Sequence, residues 1–156
     1  MALGRFGPVG GPGGSPFDDS TDPDAIGGVM EEANVRLAEI IIRSDQAIDS
    51  IQAVYADMDQ PLLSLQHGGN GGSAKSIKFQ KDEKLIAIDG FVGSQDGAVV
   101  IKGLSFVSNQ QVHGPFGQST SAPFSLEAPD GSDICGFFGR SGKLLDALGV
   151  CVRTPG

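Results

Sequence analysis

Five residues near the C-terminus, Gly142-Lys143-Leu144-Leu145-Asp146, hold the most concentrated chemistry in this chain. A glycine lets the backbone turn sharply, so the amides of Lys143 and Leu144 can point outward as donors. Asp146 then sets a pair of acceptor oxygens beside those donors. Vicinal hydroxyls of a sugar both donate and accept, and such a mixture suits them. A charge-assisted hydrogen bond contributes roughly 1.5–3 kcal/mol, so a cluster of this kind gives specificity without a metal. The other role open to Asp146 is to cap a turn, and spacing alone leaves both readings standing.

Two further stretches repeat the outline. Ser44-Asp45-Gln46-Ala47-Ile48-Asp49 keeps the terminal carboxylate but has Asp45 at the glycine position, which predicts backbone strain there. Gly97-Ala98-Val99-Val100-Ile101 keeps the glycine and carries Ile101 where a carboxylate is expected. An apolar side chain cannot accept hydroxyl protons, so this copy is expected to be structural. Three glycine-rich turns form a second series: Val9 to Ser15, His67 to Ser73 and His113 to Ser119. Gly14, Gly72 and Gln118 are spaced much as Asp45, Gly97 and Gly142 are, and one threefold internal repeat accounts for both series.

The segments that must position these loops read as strands. Leu37 to Ile42 is apolar and β-branched, Ile51, Ala53 and Tyr55 alternate with Gln52 and Val54, and Ile77 and Phe79 alternate with Lys78 and Gln80. Leu85 to Ile88, Leu104 to Val107, Phe124 to Leu126 and Leu148 to Val152 complete the set. Gly93, Gly139 and Gly149 mark bulges or close backbone approach. Only Asp24 to Ala38 has a helical outline, and Gly27-Gly28 weakens it. The expectation is an all-β chain of three Greek-key sheets around a common axis, with turns and loops at the strand ends. Asp18 to Asn34, with six acidic residues, reads as an exposed acidic loop.

Composition narrows the function. The chain has 156 residues, 24 of them glycine, yet 39% are hydrophobic, which suits a single folded domain and not a disordered glycine-rich polymer. A net charge of −8 argues against a phosphate-backbone partner or an anionic membrane surface. No apolar run reaches membrane-spanning length, and Met1 to Pro8 lacks the apolar core of a secretory signal. Asn34, Asn70 and Asn109 all fail the glycosylation pattern. Cys135 and Cys151 read as reduced, half-buried strand thiols, and a cytoplasmic or nucleocytoplasmic location is expected. Gly68-Gly69-Asn70-Gly71-Gly72 resembles a phosphate cradle, but no Gly-Lys-Ser/Thr ends it and a strand pattern follows. His67 and His113 lack metal-ligand spacing and read as surface residues flanking turns. Neither a nucleophile–base arrangement nor a paired-carboxylate signal is legible, so enzyme activity has little support.

Together these residues resemble the jacalin-related lectins, in particular their mannose-specific branch. The resemblance runs from about Gly7 to Arg153, within a single domain covering 1–156. Its signatures are Gly10 to Asp18, His113 to Gly117, Pro123 to Leu126, Gly136 to Gly142 and Asp146 to Val150. It implies a β-prism of three four-stranded sheets, a carbohydrate site with neither metal nor cofactor, and no catalysis. By position, Gly142 shapes the loop, Lys143 and Leu144 donate amides, Asp146 binds sugar hydroxyls, and Gly14 adds an amide from the facing turn. A second site, found in some members, would comprise Gln46, Ala47 and Asp49 facing Gly72. Galactose-specific members are usually cleaved to free a glycine amino terminus. This chain runs unbroken through its first glycine turn, which favours mannose- and glucose-type glycans. Two departures are the longer 18–34 loop and Pro12, whose fixed φ is tolerable there. The resemblance also implies a homo-oligomer, dimer or tetramer. The alternative from another class is a non-catalytic protein-interaction module on the same fold, with weak or no sugar binding.

Overall fold

Strand formation follows the burial pattern. In the computed structural model, which describes residues 2–22, 34–62 and 65–155, Ile51, Ala53 and Tyr55 point inward while Gln52 and Val54 stay half-exposed. Leu37 and Ile40 both face the core despite their odd spacing, because a bulge between Leu37 and Glu39 shifts the ladder by one residue. Tyr55, Phe106 and Phe137, one from each sheet, are fully buried where the three inner faces meet. Burying side chains of this size is the main favourable term in such a fold.

In chain order the strands are β1 (Ala2–Gly10), β2 (Ser15–Asp18), β3 (Val35–Ser44), β4 (Ile48–Asp57), β5 (Gln60–Pro61), β6 (Gln66–Gly68) and β7 (Ser73–Lys78). They continue as β8 (Leu85–Gln95), β9 (Ala98–Ser108), β10 (Val112–Gly117), β11 (Pro123–Glu127), β12 (Asp133–Ser141) and β13 (Leu145–Thr154). All pairings are antiparallel. The first sheet has the order β1-β13-β12-β2 and so joins the two ends of the described chain. The third has the order β10-β9-β8-β11. The second has five strands, not the expected four, because the short β5 and β6 both pair with β4.

No helix occurs among the described residues. Val35 to Ala38, the end of the segment with a helical outline, belongs to β3. Most of the acidic 18–34 stretch lies outside the described residues. Its first two carboxylates do not fit an exposed loop: Asp18 pairs with Arg5, and Asp19 is 2% exposed.

The register corrects the alignment of the third copy. A bulge skips Asp146 between the pairs Arg140↔Ala147 and Ser141↔Leu145. The same bulge skips Asp49 between Arg43↔Ser50 and Ser44↔Ile48. In the third sheet it skips Lys102, between Phe91↔Gly103 and Val92↔Ile101. Backbone hydrogen bonds agree: Gly11, Gly69 and Gln118 donate to the carbonyls of Asp146, Asp49 and Lys102. Lys102, not Ile101, therefore occupies the carboxylate position. Gly97 is no counterpart of Gly142 either. It forms, with Asp96, a two-residue hairpin turn with both φ positive (52° and 83°), the geometry that Asp-Gly favours.

Candidate functional site

The β12–β13 and β3–β4 hairpins end in matching loops. The Gly142 amide donates to the Leu144 carbonyl at 2.9 Å, and the Asp45 amide donates to the Ala47 carbonyl at 3.0 Å. Neither Gly142 nor Asp45 takes a positive φ, so the strain expected at Asp45 is absent. A glycine is not required at this position, because the loop closes without a positive φ there. With that closure made, the amides of Lys143 and Leu144 in one loop, and of Gln46 and Ala47 in the other, have no acceptor among the described residues.

Glycine is indispensable on the facing side. Gly14 and Gly72 adopt φ of 69° and 66°. A Cβ on Gly14 would lie 2.7 Å from Oδ1 of Asp146, and one on Gly72 would lie 2.7 Å from Oδ2 of Asp49. Gly13 and Gly71 are equally constrained, each at 2.6 Å from the other oxygen of the same carboxylate. Each turn thus lays bare backbone against a carboxylate. This brings an amide and two acceptor oxygens within reach of one ligand.

Two arginines hold these turns in place, and neither was legible as a functional residue. Arg140 donates from Nε to the Pro12 and Gly13 carbonyls, both at 3.1 Å, and from Nη2 to the Gly14 carbonyl at 2.9 Å. Arg43 does the same for the second turn, reaching the Gly71 carbonyl at 3.1 Å and the Gly72 carbonyl at 3.3 Å. The signal was present as a repeated Arg-Ser pair just before each loop, Arg140-Ser141 and Arg43-Ser44. The third copy has Phe91-Val92 there and no such clamp.

Burial raises the pKa of Asp146 above that of an ordinary aspartate, against the Arg140 charge and the Gly142 amide, which both pull it down. Burial also raises the pKa of Asp49, reinforced by repulsion from Asp45 and opposed by Arg43. The cleft is therefore a set of partly desolvated acceptors beside unspent amides, which is hydrogen-bonding chemistry. Among the described residues no group of three or more His, Cys, Asp or Glu is arranged to hold a metal.

Both loops open into one cleft of about 630 Å³, which gathers Gly14, Gly142, Lys143, Leu144 and Asp146 with Gln46, Ala47, Asp49 and Gly72. Every expected site residue is therefore in one place. The tip of the β8–β9 hairpin, with Gln95 and Asp96, walls it. The two halves are in backbone contact, since a Cβ on Gly69 would lie 2.3 Å from the Lys143 carbonyl oxygen. Lys102 turns away to donate to Gln95 Oε1 at 2.7 Å.

The histidines and cysteines lie elsewhere. His67 and His113 are not the surface residues expected. His67 is buried, bonded to Asp19 at 2.7 Å and stacked on Phe17, and Asp19 also accepts from the Tyr55 hydroxyl at 2.6 Å. His113 is half-buried against Glu83 at 2.8 Å. Carboxylates distant in sequence draw both rings inward, which local spacing does not reveal. Cys135 and Cys151 are free and fully buried, not half-buried, and burial pushes their thiols up to about 12 and about 11.

Comparison with known proteins identifies the family. The Jacalin-like lectin domain matches residues 6–151. Jacalin-related lectin 19 of Arabidopsis thaliana is 37% identical over 153 residues, covering 96% of this chain and 80% of that protein. A mannose/glucose-specific lectin of Parkia platycephala is 33% identical across 95% of this chain, which spans 31% of that longer protein. Among solved structures, a mannose-binding jacalin-related lectin from Ananas comosus superposes with a TM-score of 0.82 at 35% identity, covering 98% of this chain and 99% of that one. The three-sheet arrangement is the β-prism of these lectins, a family of non-catalytic carbohydrate-binding proteins. The chain belongs to the jacalin-like lectin family.

Proposed function

We propose that this domain binds mannose- and glucose-type glycans at two places in one cleft. The first uses the Lys143 and Leu144 amides, the Asp146 carboxylate and the Gly14 turn. The second uses Gln46, Ala47, Asp49 and Gly72. The observation that carries the reading is the duplicated geometry, in which a carboxylate, buried at Asp146 and half-buried at Asp49, lies under a positive-φ glycine turn clamped by an arginine. The mannose-specific names of a curated relative and a solved neighbour support the choice of sugar. Single sites of this kind bind weakly, so useful avidity comes from the paired sites and from oligomers.

Titration calorimetry with methyl α-mannoside tests this directly. Two sugars per chain support both sites, and one removes the site at Asp49. The absence of heat with mannosides and glucosides alike would favour the protein-interaction module instead.

A further inference from the structure

At the end of the prism away from the sugar cleft lies a small basic cleft that the lectin function does not use. It forms where β3, β8, β12 and β13 have the ends opposite their sugar-site hairpins, and it measures about 160 Å³. Among the described residues, Arg36, Lys81, Lys84 and Arg153 line it, against the two carboxylates of Glu83 and Asp133. In a chain of net charge −8 this is a local reversal of sign.

The donors divide into fixed and unspent groups. Arg153 is 5% exposed and held by the Val35 carbonyl at 2.6 Å and by Asp133 at 3.5 Å. Glu83 accepts from the Ser108 hydroxyl at 2.6 Å and the Gln80 amide at 3.1 Å and is bonded to His113 at 2.8 Å, with its ion pair directed at that histidine. Lys81 reaches out to Asp59 at 3.8 Å. Nη1 of Arg36, by contrast, is buried and has no hydrogen-bond partner among the described residues. Buried guanidinium protons without an acceptor are costly and rare. A planar fork beside lysines suits a tetrahedral oxyanion, which can take several charge-assisted bonds at once.

We propose that this cleft is an anion site for a phosphate dianion, with Arg36 Nη1 and Lys84 as its donors and Arg153 as a fixed neighbouring charge. The dianion belongs either to the free ion or to a sugar phosphate ester. The test uses the intact chain with its sugar cleft saturated by methyl α-mannoside, titrated separately with inorganic phosphate and with glucose 6-phosphate. Saturable binding of either supports the site, and the tighter of the two names the source. Arg36→Met should weaken binding about tenfold, the loss of one charge-assisted bond, and exposed Lys84→Met should weaken it severalfold. Both variants should retain mannoside binding and melting temperature. Rising sodium chloride should weaken the wild type. Failure of both ligands to bind, or unchanged affinity in Lys84→Met and a folded Arg36→Met, overturns the proposal.

Discussion

The first and second hairpins and the third begin from one frame and end with different chemistry. All three share the bulge, the glycine turn opposite and the amide-to-carbonyl bond that joins turn to hairpin. In the first two, the bulged residue is an aspartate beneath a clamped turn. In the third it is Lys102, tied to Gln95, on a hairpin lengthened to an Asp-Gly tip that walls its neighbours' cleft. The frame is common property of the fold, while the proposed site needs three additions: a carboxylate at the bulge, an arginine six residues earlier on the partner strand of the hairpin, and glycine where the facing turn meets the acid.

Removing the carboxylate has the largest effect. Asp146→Ala loses charge-assisted hydrogen bonds worth roughly 1.5–3 kcal/mol each, so mannoside affinity at the first site should fall by on the order of 100-fold. Calorimetric stoichiometry should drop from two sugars to one, and to none in the double variant with Asp49→Ala. Because burial raises the pKa of Asp146, its ionised form is held at a cost, and the variant should melt no lower than the wild type. A clear loss of melting temperature would make Asp146 a structural cap instead.

The two glycines of the first site should part company. Gly14→Ala combines a positive φ with a Cβ 2.5 Å from the Ser141 carbonyl oxygen, and should weaken sugar binding about tenfold or more while lowering stability. Gly142→Ala meets nothing nearer than 3.5 Å, and Asp45 already fills the equivalent place. It should bind mannoside within about twofold of the wild type. Equal damage from both would return Gly142 to the importance its place in the motif suggested.

That contrast marks how far the sequence could be read. The strand alternation and the repeated glycine turns foretold an all-β threefold fold, because both are local signals of period and conformation. Asp146, Asp49 and the amide-bearing residues were legible because they follow one another along a loop. What escaped detection depends on distant pairing. Arg140 acts on Pro12 to Gly14 across the sheet, Asp19 recruits His67 and Tyr55 from another sheet, and the Lys102 register emerges only from a bulge. Gly97 imitates the repeat in sequence, but Asp96-Gly97 is a two-residue turn signal belonging to its own hairpin.

The arginine clamps should matter less than the acids they flank. Arg140→Met removes the bonds to the Pro12, Gly13 and Gly14 carbonyls and one charge near Asp146, and should cost about 1–2 kcal/mol of sugar affinity, or roughly tenfold. It should also move the loss of binding on acidification to higher pH, since Arg140 holds the pKa of Asp146 down. Arg43→Met should act likewise on the second site alone. An effect on affinity with an unchanged pH profile would separate the clamp from its charge.

The smallest difference between the two sites is Asp45, and pH isolates it. A sugar hydroxyl donates to the ionised carboxylate, so binding is present above the pKa of the site aspartate and fades as pH falls through it. Both acids are raised from 3.8, and Asp45 contributes part of the shift at Asp49. Asp45→Gly should therefore extend second-site binding to lower pH and leave the first site unmoved. The fold outlasts either change. Burial works to raise the pKa of Glu83, but hydrogen bonds from Ser108, His113 and the Gln80 amide override it and hold that pKa at about 2, below the ordinary 4.5. Its contribution, about 3 kcal/mol, is complete above 4.5 and is lost only on descent toward 2. Acidification should thus empty the sugar sites before it unfolds the prism, which parallel titrations by mannoside calorimetry and circular dichroism will show as two separated midpoints. A single shared midpoint would mean that sugar release reports unfolding and that Asp45 has no separate influence.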